Sequence, residues 1–300
     1  MKNIEVLCLG SWKVDFFLKG DFSLAGIKDG EKNFVDSCEY FPGGSAANIA
    51  VGLSRLGIKT ALYANDYRDE LGDYLKTNLR REKVKYIASS VKKKTPLVVI
   101  INTKDKRFFF RQLTGQNDQF NPEKIAQYRP KYIVVSGNVD SKSIRKIFSK
   151  RIARLNVFLP STYFCENKPK YFKDILSFTD IIQLNSLEAF HLLNHKGISE
   201  KNILRRLREL GPKKVILTKG KRGAEYFDGE KIIKVKSIRT DEIDETGAGD
   251  GFAAGFIYGL LKNHSTINSL KIGSFVASEV IKKTGAQTGL PTSKNLRILR

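Results

Sequence analysis

Ile243-Asp244-Glu245-Thr246-Gly247-Ala248-Gly249-Asp250-Gly251-Phe252-Ala253-Ala254-Gly255 changes character at its middle. The first half is glycine-rich and acidic. The second half has the spacing of a buried helix, with Phe252, Phe256 and Leu260 four apart and Ala253, Ile257 and Leu261 beside them. A tight loop therefore feeds directly into a helix, and the backbone N–H groups from Gly247 to Asp250 become the unpaired donors of its N-terminus. Such a terminus attracts anions through both its N–H groups and the helix dipole. Glycine lets a ligand approach the backbone closely. Asp250 does not suit a pure anion cradle, because its carboxylate would repel a bound phosphate. Two roles reconcile it: taking the proton of a hydroxyl that attacks the phosphate, or an ordinary helix cap.

Upstream, Pro42-Gly43-Gly44-Ser45-Ala46-Ala47-Asn48 opens a second helix, carried by Ile49, Ala50, Leu53 and Leu56 and stopped at Gly57. Asn48 lies off that apolar face. It offers a donor and an acceptor for hydroxyls, or is incidental to a helix start. Ile4 to Gly10 reads as a short buried strand ending at glycine. Asp15 follows it, where open α/β sheets place ligands, or where a turn aspartate would stand.

From residue 117 strands and helices alternate. Strands are expected at Tyr132–Val135, Val157–Leu159, Asp180–Leu184 and Val215–Thr218, with helices near 141–152, 171–178, 186–194 and 200–210. This rhythm implies a mostly parallel sheet covered by helices on both faces. The N-terminal half is interrupted by other pieces. Strands near 14–20 and 33–41, with a hairpin of Pro96–Ile101 and Arg107–Arg111, predict a small antiparallel sheet, Phe-rich enough for a lid or an oligomer surface.

Asn185 and Glu188 stand three apart at the end of a strand. The carboxylate there suits a hydrated Mg2+ beside a polyphosphate, and the spacing equally suits a capping box. Thr218-Lys219-Gly220-Lys221-Arg222-Gly223 ends another strand with a glycine loop and cations. It is not a Walker A loop, and no GxGxxG follows the first strand. His191 and His195 have metal-ligand spacing but no further His or Cys at a matching distance, so packing or surface roles are expected.

The formal net charge is +22, from 53 Lys and Arg against 31 Asp and Glu spread along the chain. That suits attraction of anionic substrates. No aromatic-interleaved motif marks a specific nucleic-acid partner. Three dispersed cysteines without a CxxC pair point to a reducing compartment. Ile4–Leu9 is too short and polar for a signal peptide, and no run reaches the ~18 apolar residues of a membrane span. A cytoplasmic protein without a membrane partner is expected.

These pieces, in this order, resemble the ribokinase-like (PfkB) carbohydrate kinase family over essentially the whole chain. Gly43-Gly44-Ser45-Ala46-Ala47-Asn48 is similar to the family's N-terminal signature, and Asp244 to Asp250 to its C-terminal one, with Glu245 where Thr is common. Asn185-x-x-Glu188 and Thr218-x-Gly220-x-x-Gly223 resemble secondary motifs. The resemblance implies one domain over 1–300: a Rossmann-like α/β core, and a β-sheet lid from about 12–41 and 84–115. It implies ATP-dependent phosphorylation of a primary hydroxyl on a small sugar or sugar acid, with a nucleoside kinase as the alternative. Asp250 would be the base, and the amides of Gly247, Ala248, Gly249 and Asp250 the anion hole. Asp15, Gly43, Gly44 and Asn48 would hold the acceptor. Asn185, Thr218, Gly220, Gly223 and Gly249 would line the nucleotide site. Glu188 would bind Mg2+ through water, and Asp244 and Thr246 stand where some members bind a monovalent cation such as K+. Phe109-Phe110-Arg111 resembles 2-keto-3-deoxygluconate kinases, in which an arginine meets the acid's carboxylate, although their mid-chain Asp-x-Asn is replaced by Leu159-Pro160-Ser161. The lid implies a homodimer.

Overall fold

Central strands buried along nearly their whole length decide the architecture of this computed structural model, which describes residues 4–21, 26, 29–103, 106–112, 120–137, 139–194 and 200–296. The chain opens with β1 (Val6–Gly10), then sends β2 (Lys13–Lys19) and β3 (Ser37–Gly43) into a separate sheet. Helix α1 (Ser45–Arg55) returns it to β4 (Thr60–Tyr67), α2 (Glu70–Arg81) and β5 (Lys85–Lys93). The hairpin β6 (Leu97–Asn102) and β7 (Arg107–Arg111) completes the separate sheet. After α3 (Pro122–Ala126), β8 (Tyr132–Gly137), α4 (Ser141–Ser149), β9 (Leu155–Pro160), α5 (Thr162–Asn167) and α6 (Phe172–Ser177) follow. Next come β10 (Ile181–Asn185), α7 (Ser186–Leu193), α8 (Glu200–Glu209) and β11 (Lys214–Thr218). The chain ends with the hairpin β12 (Ala224–Phe227) and β13 (Ile232–Val235), then α9 (Ala248–Leu261) and α10 (Thr266–Val280).

The large sheet has the order β13-β12-β11-β10-β9-β8-β1-β4-β5. From β11 to β5 every neighbouring pair is parallel, and β12 and β13 add an antiparallel edge. Successive side chains of a strand point to opposite faces. Val6 and Cys8 accordingly join a core with α1, α2, α9 and α10, whereas Leu7 and Leu9 join a second core with α3 to α8. The expected parallel sheet with helices on both faces is therefore present. The chain leaves β1 first toward β4 and later toward β8, so its direction reverses beside β1. Open α/β sheets bind ligands beyond the carboxyl ends of strands at such a switch point.

The small sheet has the order β3-β2-β6-β7. Its outer pairs are antiparallel as expected, but the central pair β2–β6 is parallel. Both strands leave the carboxyl edge of the large sheet, one after β1 and one after β5, and so run the same way. The lid also begins later than expected in its second part. Residues 85–93 pair with β4 as the edge of the large sheet, and their lysines suit an exposed edge strand. Residues 113–115, also assigned to the lid, lie outside the described residues. Helix α4 ends at Ser149 rather than 152, and Arg151 follows at φ 47°. Among the described residues no helix is long and apolar enough to cross a membrane.

Candidate active site

Gly247 stands at the N-cap of helix α9, with φ 82° and no side-chain cap. A Cβ at that position would stand 2.6 Å from the Ala286 Cβ, so both backbone and space demand glycine. The Ala248 N–H donates to the Glu245 carbonyl at 3.1 Å, and the Gly251 N–H to the Gly247 carbonyl at 2.8 Å. The amides of Gly249 and Asp250 have no partner among the described residues. Asp250 does not cap the helix. Its Oδ2 accepts from Asn48 Nδ2 at 2.8 Å, and Ser45 also hydrogen-bonds to it. Burial pushes the Asp250 carboxyl up to about 6, against the pull of the Asn48 and Ser45 hydrogen bonds and the Lys13 charge.

Asn48 is itself oriented. Its Oδ1 accepts from Gln287 Nε2 at 3.0 Å, and Gln287 Oε1 accepts from Asn78 Nδ2 at 2.8 Å. This relay turns the Asn48 amide so that its donor faces Asp250. Gly43 ends β3 beside Asp15, and a Cβ on it would lie 2.0 Å from Asp15 Oδ2. Gly44 precedes α1. Asp15 is 2% exposed, with Lys13 Nζ 3.3 Å from its Oδ1. Burial raises the Asp15 carboxyl, and Asp244 adds to the rise, while Lys13 and Arg107 oppose it.

A cavity of about 330 Å³ runs along the carboxyl edge of the large sheet. Its walls include Ser136, Pro160, Asn185 and Thr218 from the ends of β8 to β11. Asn185 and Thr218 are register partners on adjacent parallel strands. The segment from Gly247 to Asp250 lines the cavity, as do Glu188 and Arg111. Gly220 opens a short 3-10 turn beyond Thr218 and Gly223 follows it; neither lines the cavity, nor do Asp15, Gly43, Gly44 and Asn48.

Asn185 and Glu188 form a full capping box: the Glu188 N–H donates to Asn185 Oδ1 at 2.8 Å, and the Asn185 N–H to Glu188 Oε2 at 2.9 Å. Burial pushes the Glu188 carboxyl up to about 7, helped by the charge of Asp250. Two carboxylates facing one cavity repel each other without a cation. A single carboxylate of this kind fits a Mg2+ that keeps its waters. Among the described residues no group of three His, Cys, Asp or Glu side chains forms a direct metal site. His191 pairs with Glu166 at 3.4 Å, and His195 lies outside the described residues.

Asp244 behaves differently. Its Oδ2 accepts from the Gly285 N–H at 2.7 Å and its Oδ1 from the Thr246 N–H at 2.9 Å. Arg107 Nη1 stands 2.6 Å from the same Oδ1, and Arg107 also donates to Thr246 Oγ1. Burial alone would raise the Asp244 carboxyl. The bonds from Gly285 and Thr246 and the Arg107 charge outweigh it and hold the group below the usual range. Both oxygens are engaged, and the cation seated here is a guanidinium. This donor set does not fit an added K+.

Comparison with known proteins agrees with this fold. The chain belongs to the pfkB family of carbohydrate kinases, whose sequence profile matches residues 3–293. It is 27% identical to an ATP-dependent 6-phosphofructokinase of Thermoanaerobacterium thermosaccharolyticum, over 97% of this chain and 92% of that one. It is 26% identical to a nucleoside kinase of Methanocaldococcus jannaschii, over 97% and 95% of the two chains. A ribokinase structure from Thermotoga maritima superposes with a TM-score of 0.84 at 20% identity, covering 98% of each chain. The protein is thus a carbohydrate kinase, a phosphotransferase by class.

Several neighbours of the cavity escaped the sequence reading. Gln183 Nε2 donates to the Gly249 carbonyl at 2.8 Å and so fixes the first turn of α9. Its signal was a lone amide in the apolar run Ile181-Ile182-Gln183-Leu184. Ser45 stands inside the glycine motif that precedes Asn48 without being singled out there, while Gln287 and Arg107, behind the cavity wall, carried no local signal.

Proposed function

We propose that the protein transfers the terminal phosphoryl group of ATP to a primary hydroxyl of a small sugar or sugar acid. One observation carries this reading: the Asp250 carboxylate, raised to about 6, lies beside the unpartnered amides of Gly249 and Asp250 in a cavity at the carboxyl edge of the large sheet. A carboxyl with that value is ionised at neutral pH yet basic enough to take a proton from an alcohol in flight.

In the reaction the acceptor oxygen bonds to the transferred phosphorus as the bond to the departing diphosphate oxygen breaks. The acceptor's proton passes to Asp250. The anion cradle comprises the segment Gly247, Ala248, Gly249 and Asp250. Its Gly249 and Asp250 amides donate to the phosphoryl oxygens as charge spreads over them, whereas the Ala248 amide is committed to Glu245. Asp15, Gly43, Gly44, Asn48 and Arg111 form the acceptor side, and Asn185, Thr218, Gly220 and Gly223 the nucleotide side. Glu188 would hold Mg2+ through water, and the bound ion would neutralise phosphate charge. Arg111, at the cavity wall, suits an acceptor that carries a carboxylate. The chain is read as a single kinase domain.

The decisive experiment is Asp250→Asn. Phosphorylation of a responsive acceptor should fall by roughly 10²- to 10⁴-fold while ATP binding by calorimetry persists. Activity within a few-fold of wild type would overturn the assignment.

A second reading, a nucleoside acceptor, is favoured by Phe109. Alternation along β7 puts Phe109 on the same face as Arg107 and Arg111, and its ring is 57% exposed. Stacking on such a ring is worth about 1–3 kcal/mol per base. Phe16, Phe108 and Phe110, the other aromatics of these strands, lie on the opposite face, where Phe16 packs against Tyr40 at 4.6 Å. A panel of sugars, sugar acids and nucleosides with ATP separates the two readings. The outer face of the small sheet is also proposed as a homodimer contact.

A further inference from the structure

We infer that Arg107 is a built-in cation that replaces a soluble monovalent ion beside the anion cradle and ties the small sheet to it. Arg107 is the first residue of β7, in the small sheet. Asp244 and Thr246 lie in the loop that runs into Gly247 and α9. The guanidinium joins them with two different nitrogens, Nη1 to Asp244 and Nη2 to Thr246. Two aromatic rings pack against it, Phe17 at 5.5 Å and Phe109 at 5.0 Å. A charge tethered this way needs no free ion concentration to stay in place. A guanidinium also imposes directions that a spherical ion cannot.

The segment after α10, which abuts this loop through Gly285, receives two further contacts from the small sheet. Lys19 Nζ donates to Thr284 Oγ1 at 2.9 Å. Phe41 packs on Gly285, where an added Cβ would stand 2.5 Å from its ring, and Gly285 in turn donates to Asp244. Arg107, Asp244 and Gly285 therefore form one connected unit, and the small sheet's position is coupled to the segment that ends at the Gly249 and Asp250 amides. Arg107 is a positioning residue: it acts through Asp244 and Thr246 and touches no reacting atom.

The inference rests on the proposed kinase reading only for its kinetic consequence; its ion preference stands alone. The first measurement uses the wild-type protein without substrates. Its melting temperature should be the same in KCl and in choline chloride at equal ionic strength, and turnover should likewise not respond to the exchange. A melting temperature that rises selectively with K+ would overturn the inference, whatever the protein phosphorylates. The second uses Arg107→Ala. Here kcat should fall by roughly 10- to 100-fold, as expected when a cradle is misplaced rather than removed, and added guanidinium ion or K+ should recover part of it. A variant that keeps wild-type kcat would equally overturn the inference. If Arg107→Ala does not fold, the wild-type salt comparison still decides.

Discussion

Asp250 concentrates the physics of this site into one proton. Its carboxyl is pushed up to about 6 by burial, with Asn48 and Ser45 pulling the other way. In its proposed role as base it must be ionised, so protonation removes activity. kcat/KM should therefore be flat above neutrality and fall by about tenfold per pH unit once the pH drops below about 6. The sign of a substitution follows from the same balance. Asn48 donates to the ionised form, so Asn48→Ala should move the acid limb to higher pH, because the stabilised anion loses its donor. A pH–rate profile of the two proteins checks this, and a limb that stays put or moves down would show that the base lies elsewhere. Gln287 and Asn78 explain why the donor, and not the acceptor, of the Asn48 amide faces Asp250. Asp250 and Asn48 were legible in the sequence because each sits in a short glycine motif. The relay behind them was not, since Asn78 and Gln287 are 209 positions apart and each looks ordinary where it stands.

At the scale of elements, the start of α9 is the piece that tolerates least. Gly247→Ala would force a left-handed residue to carry a Cβ, at about 1–2 kcal/mol. It would also drive that Cβ against Ala286. The loop can relieve the clash only by moving the first helical turn. Gly247→Ala is therefore expected to lower kcat by roughly 10-fold or more while leaving the fold cooperative, measured by initial rates and a thermal melt. A variant with unchanged kcat would mean that the turn's position does not matter. This loop-to-helix joint was readable because glycine and apolar spacing are local signals. The alternation of strand and helix after residue 117 was readable for the same reason. Direction and partnership of strands were not. Nothing within β2 or β6 tells that they lie side by side and run parallel, because that follows from where β1 and β5 release the chain. Residues 85–93 show the same limit: their half-exposed pattern suits an edge strand in either sheet, and only pairing with β4 assigns them. Arg107 looked like the flank of a Phe-rich hairpin, and its partner Asp244 is more than a hundred positions away.

Across the whole molecule, the small sheet has two unlike faces. Toward the cleft it turns Asp15, Phe17, Arg107 and Arg111; on the other side it carries Phe16, Leu18, Tyr40, Val99, Phe108 and Phe110. Tyr40 is 52% and Phe110 57% exposed, so this outer face is apolar yet open in the single chain. A contiguous patch of that kind usually marks a contact surface. Two copies meeting there would also bring together two chains of net charge +22, and that charge repels. The two effects predict opposite salt responses from alternative contacts. An interface held by ion pairs weakens as salt screens them, whereas an apolar interface opposed by long-range repulsion tightens, because salt screens only the repulsion. Sedimentation of the wild-type protein should therefore show a dimer whose dissociation constant falls as NaCl rises through the range where the Debye length drops from about 30 Å to about 10 Å. Phe110→Glu should yield a monomer at every salt concentration, since it buries a charge in the contact. A wild-type protein that stays monomeric throughout, or a Phe110→Glu protein that still dimerises, would remove the outer face as the contact and leave its apolar surface to a different partner.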